Sequence, residues 1–283
     1  MTRWPRRRAF CADKGAHFLA PFDDDDVIEG QATVAVEVEA EFGRAPDRLV
    51  LPVGGGGLAA GVHSYFSPRT VDTRGTGWRR QPGGRVAGRP SGDVEKKVDN
   101  FVDGAAVARV GERTFARLRD VPAQSVLSIP EDRLCTTMIE MLNVEGIVLE
   151  PAGALSIDAL ADIEGQIRGK TVVCVTSGGN FDFERLPEVK ERAQRYSGVK
   201  KYLILRLPQR PGALREFLNV LGPDDDIARF EYMKKSARNF GSVLIGIETS
   251  QPQNFARLFE RLDAAGFVYT DITNDELLAQ FVI

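Results

Sequence analysis

The sequence predicts two α/β units in succession, and three observations carry that reading. Short apolar runs alternate with helix-like segments as far as Tyr196, the pattern of an open twisted sheet with flanking helices. Twice a glycine cluster follows such an apolar run directly, at Gly54–Gly57 and at Ser177–Asn180. From Lys200 the pattern changes to strand, helix, strand, strand, helix, strand, the split-βαβ, ferredoxin-like α+β order. The boundary falls near Ser197–Val199, dividing the 283 residues into 1–198 and 199–283. Two domains suit that length.

In the first unit, residues 27–43 carry apolar residues at mostly helical spacing and end in Gly43, which predicts a helix. Arg48–Val53 reads as a strand, Gly54–Gly57 breaks it, and Leu58–Phe66 starts a helix. Ser67–Asp93 then has six Arg, six Gly and no Leu, Ile or Phe. Such a stretch cannot bury a face and is expected to be a loose loop or disordered. A basic nucleic-acid arm is one functional reading of it. The one preferred is that a GC-rich gene is read out of frame here. Beyond it, Thr114–Arg119, Glu131–Val144 and the small-residue run Gly153–Ile163 read as helices. Thr171–Thr176 reads as a buried strand and Glu184–Tyr196 as a charged helix.

In the second unit, strands are expected over Tyr202–Leu207, Ile227–Lys234, Ser242–Thr249 and Phe267–Asp271. Helices are expected over Ala213–Leu221, Asn254–Ala265 and, last, Asp275–Phe281. The expected core is Leu203, Leu205, Leu214, Phe217, Leu218, Phe230, Leu244, Ile247, Leu258, Leu262 and Phe267.

The formal net charge is −3, so no global basic excess calls for a nucleic-acid partner. No apolar run approaches the ~20 residues of a membrane span. The Arg-rich start, Met1–Phe10, lacks the apolar core of a secretory signal. Three unclustered cysteines, Cys11, Cys135 and Cys174, fit a reducing, cytoplasmic setting and no zinc site. The two histidines, His17 and His63, lie on different elements and read as structural or surface residues, so no metal is expected. Asp23–Asp26 reads as a solvated loop before a helix N-terminus, with a cation site as the lesser alternative.

The chemistry is carried by the glycine clusters. Gly54-Gly55-Gly56-Gly57-Leu58 ends a strand and opens a helix, where N–H groups and the helix dipole suit a phosphate. A plain structural turn is the alternative. A dinucleotide site is weaker, because the acidic residue it needs ~20 positions on would fall in the Arg-rich segment. Ser177-Gly178-Gly179-Asn180 lies at a strand end, where open α/β sheets bind ligands, or is an ordinary turn. Together the two clusters fit a cofactor with a phosphate at one end and a ring acceptor at the other. A serine hydroxyl can hydrogen-bond a pyridine nitrogen but cannot hold it as a pyridinium. That suits β-elimination better than transamination.

PFDDDDVIEGQATVAVEV (21–38), VGGGGLAAGV (53–62), KVDNFVDGAAV (97–107), LEPAGALS (149–156), VTSGGN (175–180) and the tail from Tyr202 resemble the threonine dehydratase branch of fold-type II pyridoxal-phosphate (PLP) enzymes. The resemblance implies a partial fold-type II catalytic domain followed by a ferredoxin-like, ACT-like regulatory domain. It implies that Gly54, Gly55, Gly56, Gly57 and Leu58 hold the PLP phosphate and that Ser177 faces the pyridine nitrogen. It places Glu150 near the cofactor ring; a solvated or capping acid is the other reading of that residue. It implies deamination of L-threonine to 2-oxobutanoate and ammonia in isoleucine biosynthesis. It further implies isoleucine or valine as effector and a homotetramer. Gln209, Arg210 and Gly212 would form the effector-facing edge.

The family's Schiff-base lysine stands in a Ser-Phe-Lys-x-Arg-like motif, and none occurs here; Lys14 sits in ADKGAH. The chain therefore reads as truncated at its start, scrambled around 67–93, and inactive as given. The alternative is a non-catalytic, amino-acid-binding regulatory protein carrying a degenerate α/β remnant.

Overall fold

The computed structural model describes residues 4–67, 72–76, 101–107, 110–233 and 240–275. It separates into two compact units, Met1–Phe181 and Asp182–Ile283.

The first unit opens with α1 (Trp4–Asp13), at the Arg-rich start. Helix α2 (Asp25–Phe42) follows, capped at its N-terminus by Asp24 and stopped by Gly43. Strand β1 (Arg48–Pro52) leads through the glycine loop into α3 (Gly57–Phe66). Then come β2 (Asp72–Thr76), α4 (Glu112–Leu118), β3 (Val126–Leu127) and α5 (Glu131–Glu140), which runs on into a π-turn, Met141–Glu145. The run expected as one helix is two, α6 (Pro151–Asp158) and α7 (Leu160–Ile167), with Pro151 in the first turn of α6. Strand β4 (Val172–Cys174) completes the sheet.

The four strands lie in the order β3-β2-β1-β4 with every pairing parallel. β1 is buried along its whole length, as an inner parallel strand is. Leu49 and Leu51 face α2 and α3, packing with Ile28, Ala35, Ala60 and Phe66. Val50 points the other way, onto Ala159 and Ile163. The sheet is thus covered on both faces, as the alternating pattern predicts.

The Arg- and Gly-rich stretch is not loose throughout, since Asp72–Thr76 pairs with β1 on one side and β3 on the other. A ladder is built from backbone N–H and C=O groups, so a strand flanked by two others needs little from its own composition. The rest of Ser67–Asp93 beyond Ser67 lies outside the described residues. The Val172–Cys174 strand is half-buried rather than buried, because it has one strand neighbour and ends the described sheet.

The second unit comprises α8 (Leu186–Tyr196), β5 (Lys200–Pro208), α9 (Ala213–Leu218), β6 (Asp225–Met233), β7 (Phe240–Thr249), α10 (Asn254–Ala264) and β8 (Val268–Asp271). Its sheet is antiparallel in the order β6-β7-β5-β8, with the first and third strands of the βαββαβ unit in the centre. α8 groups with this unit, whereas the sequence division was drawn at 198. The physical tie is Lys200, whose ammonium reaches Glu191 of α8 at 2.5 Å and Glu248 of β7 at 2.9 Å.

Leu203, Leu205, Phe217, Ile247, Leu258 and Leu262 are fully buried in the core, and Phe267 packs partly buried against it. Leu214, Leu218 and Phe230 are instead exposed, and Leu244 lies in a separate small cluster with Tyr202 and Ile272. The physical reason at Leu244 is parity. Val243, Ile245 and Ile247 point inward, so the even-numbered residue between them faces away. The helix expected over Asp275–Phe281 lies outside the described residues.

Candidate functional site

The site is set by strand register. β1 and β4 run parallel with Arg48 opposite Val172 and Val50 opposite Cys174, and the Val175 N–H donates to the Val50 carbonyl at 2.9 Å. The chain leaves β1 for Gly54–Gly57 and leaves β4 for Ser177–Asn180. Both glycine clusters therefore stand at the carboxyl edge of neighbouring strands, the edge where open α/β sheets bind ligands.

Gly56 has φ +92°, a conformation in which an L side chain is strained, and it is the N-cap of α3. Close walls surround the loop. A Cβ on Gly54 would lie 3.1 Å from Ala105 Cα and 3.2 Å from the Gly104 carbonyl, and one on Gly55 would enter the Phe22 ring. A Cβ on Gly57 would sit 3.2 Å from Phe22 Cβ. Gly56 faces the buried Thr114, whose hydroxyl lies 3.0 Å from the Gly55 carbonyl and 3.1 Å from that of Gly111. The Leu58 side chain packs into the apolar cluster behind the sheet, so what Leu58 offers the site is backbone.

Glu150 links the two clusters. Its N–H donates to the Gly178 carbonyl at 3.1 Å, and its carboxylate occupies the space a Cβ on Gly178 would need. The same carboxylate oxygen lies 3.4 Å from where a Gly104 Cβ would stand, beside the wall of Gly54. Burial, helped by the charge of Asp103, pushes the Glu150 carboxyl above its ordinary range. Ser177 itself is exposed, as a residue open to a ligand would be.

The acidic run is not a merely solvated loop. Asp23 accepts from the Glu112, Arg113 and Thr114 N–H groups at the start of α4, at 3.1, 2.8 and 3.3 Å. Asp24 caps α2 through the Asp26 N–H, and Asp25 pairs with Arg113 and Arg117. Four successive carboxylates at a helix start carry a capping signal, which Asp24 fulfils. Asp23 and Asp25 serve a helix some ninety positions further on, which no local pattern could name. Phe22, Gly104 and Thr114 are the other residues of the site that sequence reasoning passed over. The first two lie inside the blocks quoted for the resemblance, which was the available signal.

In the second unit, Gln209, Arg210 and Gly212 precede α9. Arg210 meets its own helix, donating twice to Glu216 at 2.7 Å, and both side chains are about half exposed. Open space surrounds the position of a Gly212 Cβ. His63 is half-buried on α3, with burial lowering its pKa against an opposing pull from Asp120, and His17 is exposed. No group of three potential metal ligands occurs among the described residues. No helix among them is long and apolar enough to cross a membrane.

Residues 4–178 match the family of pyridoxal-phosphate-dependent enzymes, and residues 191–282 match the C-terminal regulatory domain of threonine dehydratase. The chain is 43% identical over 279 residues to the biosynthetic L-threonine dehydratase IlvA of Bacillus subtilis (strain 168), covering 96% of this chain and 65% of that protein. It is 38% identical over 285 residues to the Lactococcus lactis enzyme of the same name, covering 98% and 68%. The chain thus spans about two thirds of the length of the curated relatives it matches. Among solved structures, it is similar to the processed form of threonine deaminase isoform 2 from Solanum lycopersicum, with TM-score 0.55 and 29% identity over 65% of this chain and 55% of that one. It is also similar to the T.th. threonine deaminase, with TM-score 0.52 and 28% identity over 63% and 66%. The chain belongs to the threonine dehydratase branch of the fold-type II pyridoxal-phosphate-dependent enzymes.

Proposed function

We propose that this chain carries the phosphate- and ring-binding part of a PLP-dependent threonine dehydratase, joined to an amino-acid-sensing regulatory unit. The observation that carries the reading is the placement of Gly54–Gly57 and Ser177 at one edge of the sheet, with Glu150 between them. The residues fit the group. A cradle stripped of Cβ atoms at the start of a ten-residue helix suits a phosphate, and a hydroxyl suits an unprotonated ring nitrogen. When bound, PLP supplies the electron sink for deamination of L-threonine to 2-oxobutanoate and ammonia.

In this reading the backbone of Gly54–Leu58 holds the phosphate and the Ser177 hydroxyl donates to the ring nitrogen without charging it. Glu150, whose carboxyl is raised by burial and by the charge of Asp103, faces the ring. Phe22 closes one side of the cradle against water. In the second unit, the Gln209–Gly212 turn receives isoleucine or valine, Gly212 leaving its backbone open to a carboxylate. The assembly is a homo-oligomer, a tetramer by family likeness.

Equilibrium dialysis of the full chain against PLP tests the site. Saturable binding of one PLP per chain, displaced by inorganic phosphate and lost in Gly56→Ala, is the expected result. No saturable binding overturns the reading. The rival, a non-catalytic amino-acid-binding regulatory protein, is favoured by one observation: no described lysine lies at that sheet edge. It would show isoleucine-dependent thermal stabilisation with no PLP binding at all.

A further inference from the structure

We propose that Thr114 is a positioning residue for the glycine loop, and that Asp23 in turn positions Thr114. The inference rests on the reading that Gly54–Leu58 receives the cofactor phosphate. Thr114 is fully buried in the third position of α4, and its one hydroxyl proton has two carbonyls within reach, Gly111 at 3.1 Å and Gly55 at 3.0 Å. The bond to Gly111 is the ordinary back-bond of a helical threonine. The bond to Gly55 is not local, since it spans 59 positions and fixes one peptide of the loop.

A trans peptide points its C=O and N–H in opposite directions within one plane. Turning the Gly55 carbonyl toward Thr114 therefore turns the Gly56 N–H away from α4. Gly56, at φ +92°, then leads directly into the first turn of α3. Without the hydroxyl, two consecutive glycines could rotate this peptide freely, and a donor set for a dianion would not be preformed. The Phe22 ring fills the place of a Cβ on Gly55, so no side chain there could take over the task of fixing the loop.

Asp23 completes the device. Its carboxylate takes the Glu112, Arg113 and Thr114 N–H groups, so the start of α4 is fixed by the residue next to Phe22. The PFDD segment thus sets both walls of the loop, the ring directly and the threonine through a helix N-terminus.

The test uses the full chain and two probes without an aldehyde, pyridoxine 5′-phosphate and pyridoxine, so that no lysine can react. Calorimetry gives the ratio of their affinities, which isolates the phosphate. Thr114→Val should reduce that ratio roughly three- to tenfold, the value of one hydrogen bond, with pyridoxine affinity unchanged. Thr114→Ser should retain it. Asp23→Asn, which keeps an acceptor but drops the charge, should give a smaller loss of the same ratio, and it decides the matter where Thr114→Val does not fold. An unchanged ratio in the valine variant, or equal loss for both probes, overturns the positioning role. A wild-type chain that does not prefer the phosphorylated probe overturns the underlying phosphate-site reading, and the proposal with it.

Discussion

The carboxylate of Glu150 rests against the α-carbon of Gly178 while the Glu150 N–H donates to the Gly178 carbonyl at 3.1 Å. Burial and the nearby Asp103 charge raise this carboxyl, so the folded chain holds its proton more tightly than the unfolded chain. Stability then falls as pH rises from the ordinary carboxylate range through the raised value. Glu150→Gln should therefore raise the melting temperature of the PLP-free chain at about pH 7.5 and leave it nearly unchanged at about pH 4. Thermal unfolding at both pH values checks this. A variant less stable than wild type at the higher pH would show that the carboxylate has an attractive partner.

Gly153 and Gly178 meet at the same place but should respond differently to alanine. A Cβ on Gly153 would strike the Gly178 carbonyl, which is backbone and cannot step aside. Gly153→Ala should cost about 1–3 kcal/mol, as overpacking does. A Cβ on Gly178 would first meet the Glu150 side chain, from its carboxylate back to Cγ, and a side chain can swing away where backbone cannot. Gly178→Ala should leave stability within about 1 kcal/mol while weakening PLP binding. Chemical denaturation and dialysis separate the two outcomes.

What the sequence made legible was whatever local pattern can encode. Strand, glycine loop and helix stand where the residues put them, and the βαββαβ order gave the antiparallel sheet with β5 and β7 in its centre. The pairing of Thr114 with Gly55, and of Asp23 with α4, was illegible because it joins residues 59 and about 90 positions apart. Leu218 and Leu214 were misplaced for a related reason. A six-residue α9 buries only one face, and Ala213 and Phe217 occupy it. Asp72–Thr76 was missed because its place in the ladder rests on its neighbours.

Lys200 should be the fastener between α8 and its sheet. Burial works against its charge, but the hydrogen bonds it donates to Glu191 and Glu248 outweigh that and raise it overall. Glu248 is lowered by the same contact, although burial alone would raise it. A raised lysine contributes stability that is full below its unfolded value and lost as pH rises through the folded one. A lowered carboxylate contributes stability above its unfolded value and loses it as pH falls through the folded one. The fastener is thus at full strength from about pH 5 to about pH 10. Lys200→Met should cost about 3 kcal/mol near neutral pH, because it leaves two carboxylates facing each other without their cation. The deficit should shrink below about pH 4, as the Glu248 carboxyl takes up its proton. A deficit that does not depend on pH would make the loss one of packing alone.

The last prediction concerns turnover. Covalent carriage of the cofactor needs a lysine amine at the carboxyl edge of the sheet. Of the nine lysines, Lys14 is exposed and pairs with its neighbour Asp13. Lys170 precedes β4, at the opposite end of that strand from Ser177. Lys190, Lys200 and Lys201 belong to the second unit, and the last two are held by Glu191, Glu248 and Asp271. Lys96, Lys97, Lys234 and Lys235 lie outside the described residues, and none stands in a Ser-Phe-Lys context. Incubated by itself with PLP and L-threonine, the 283-residue chain should therefore bind the cofactor yet release no 2-oxobutanoate at an enzymatic rate. Turnover of roughly 1 per second or more would contradict this. Peptide mapping after borohydride reduction would then identify the lysine responsible.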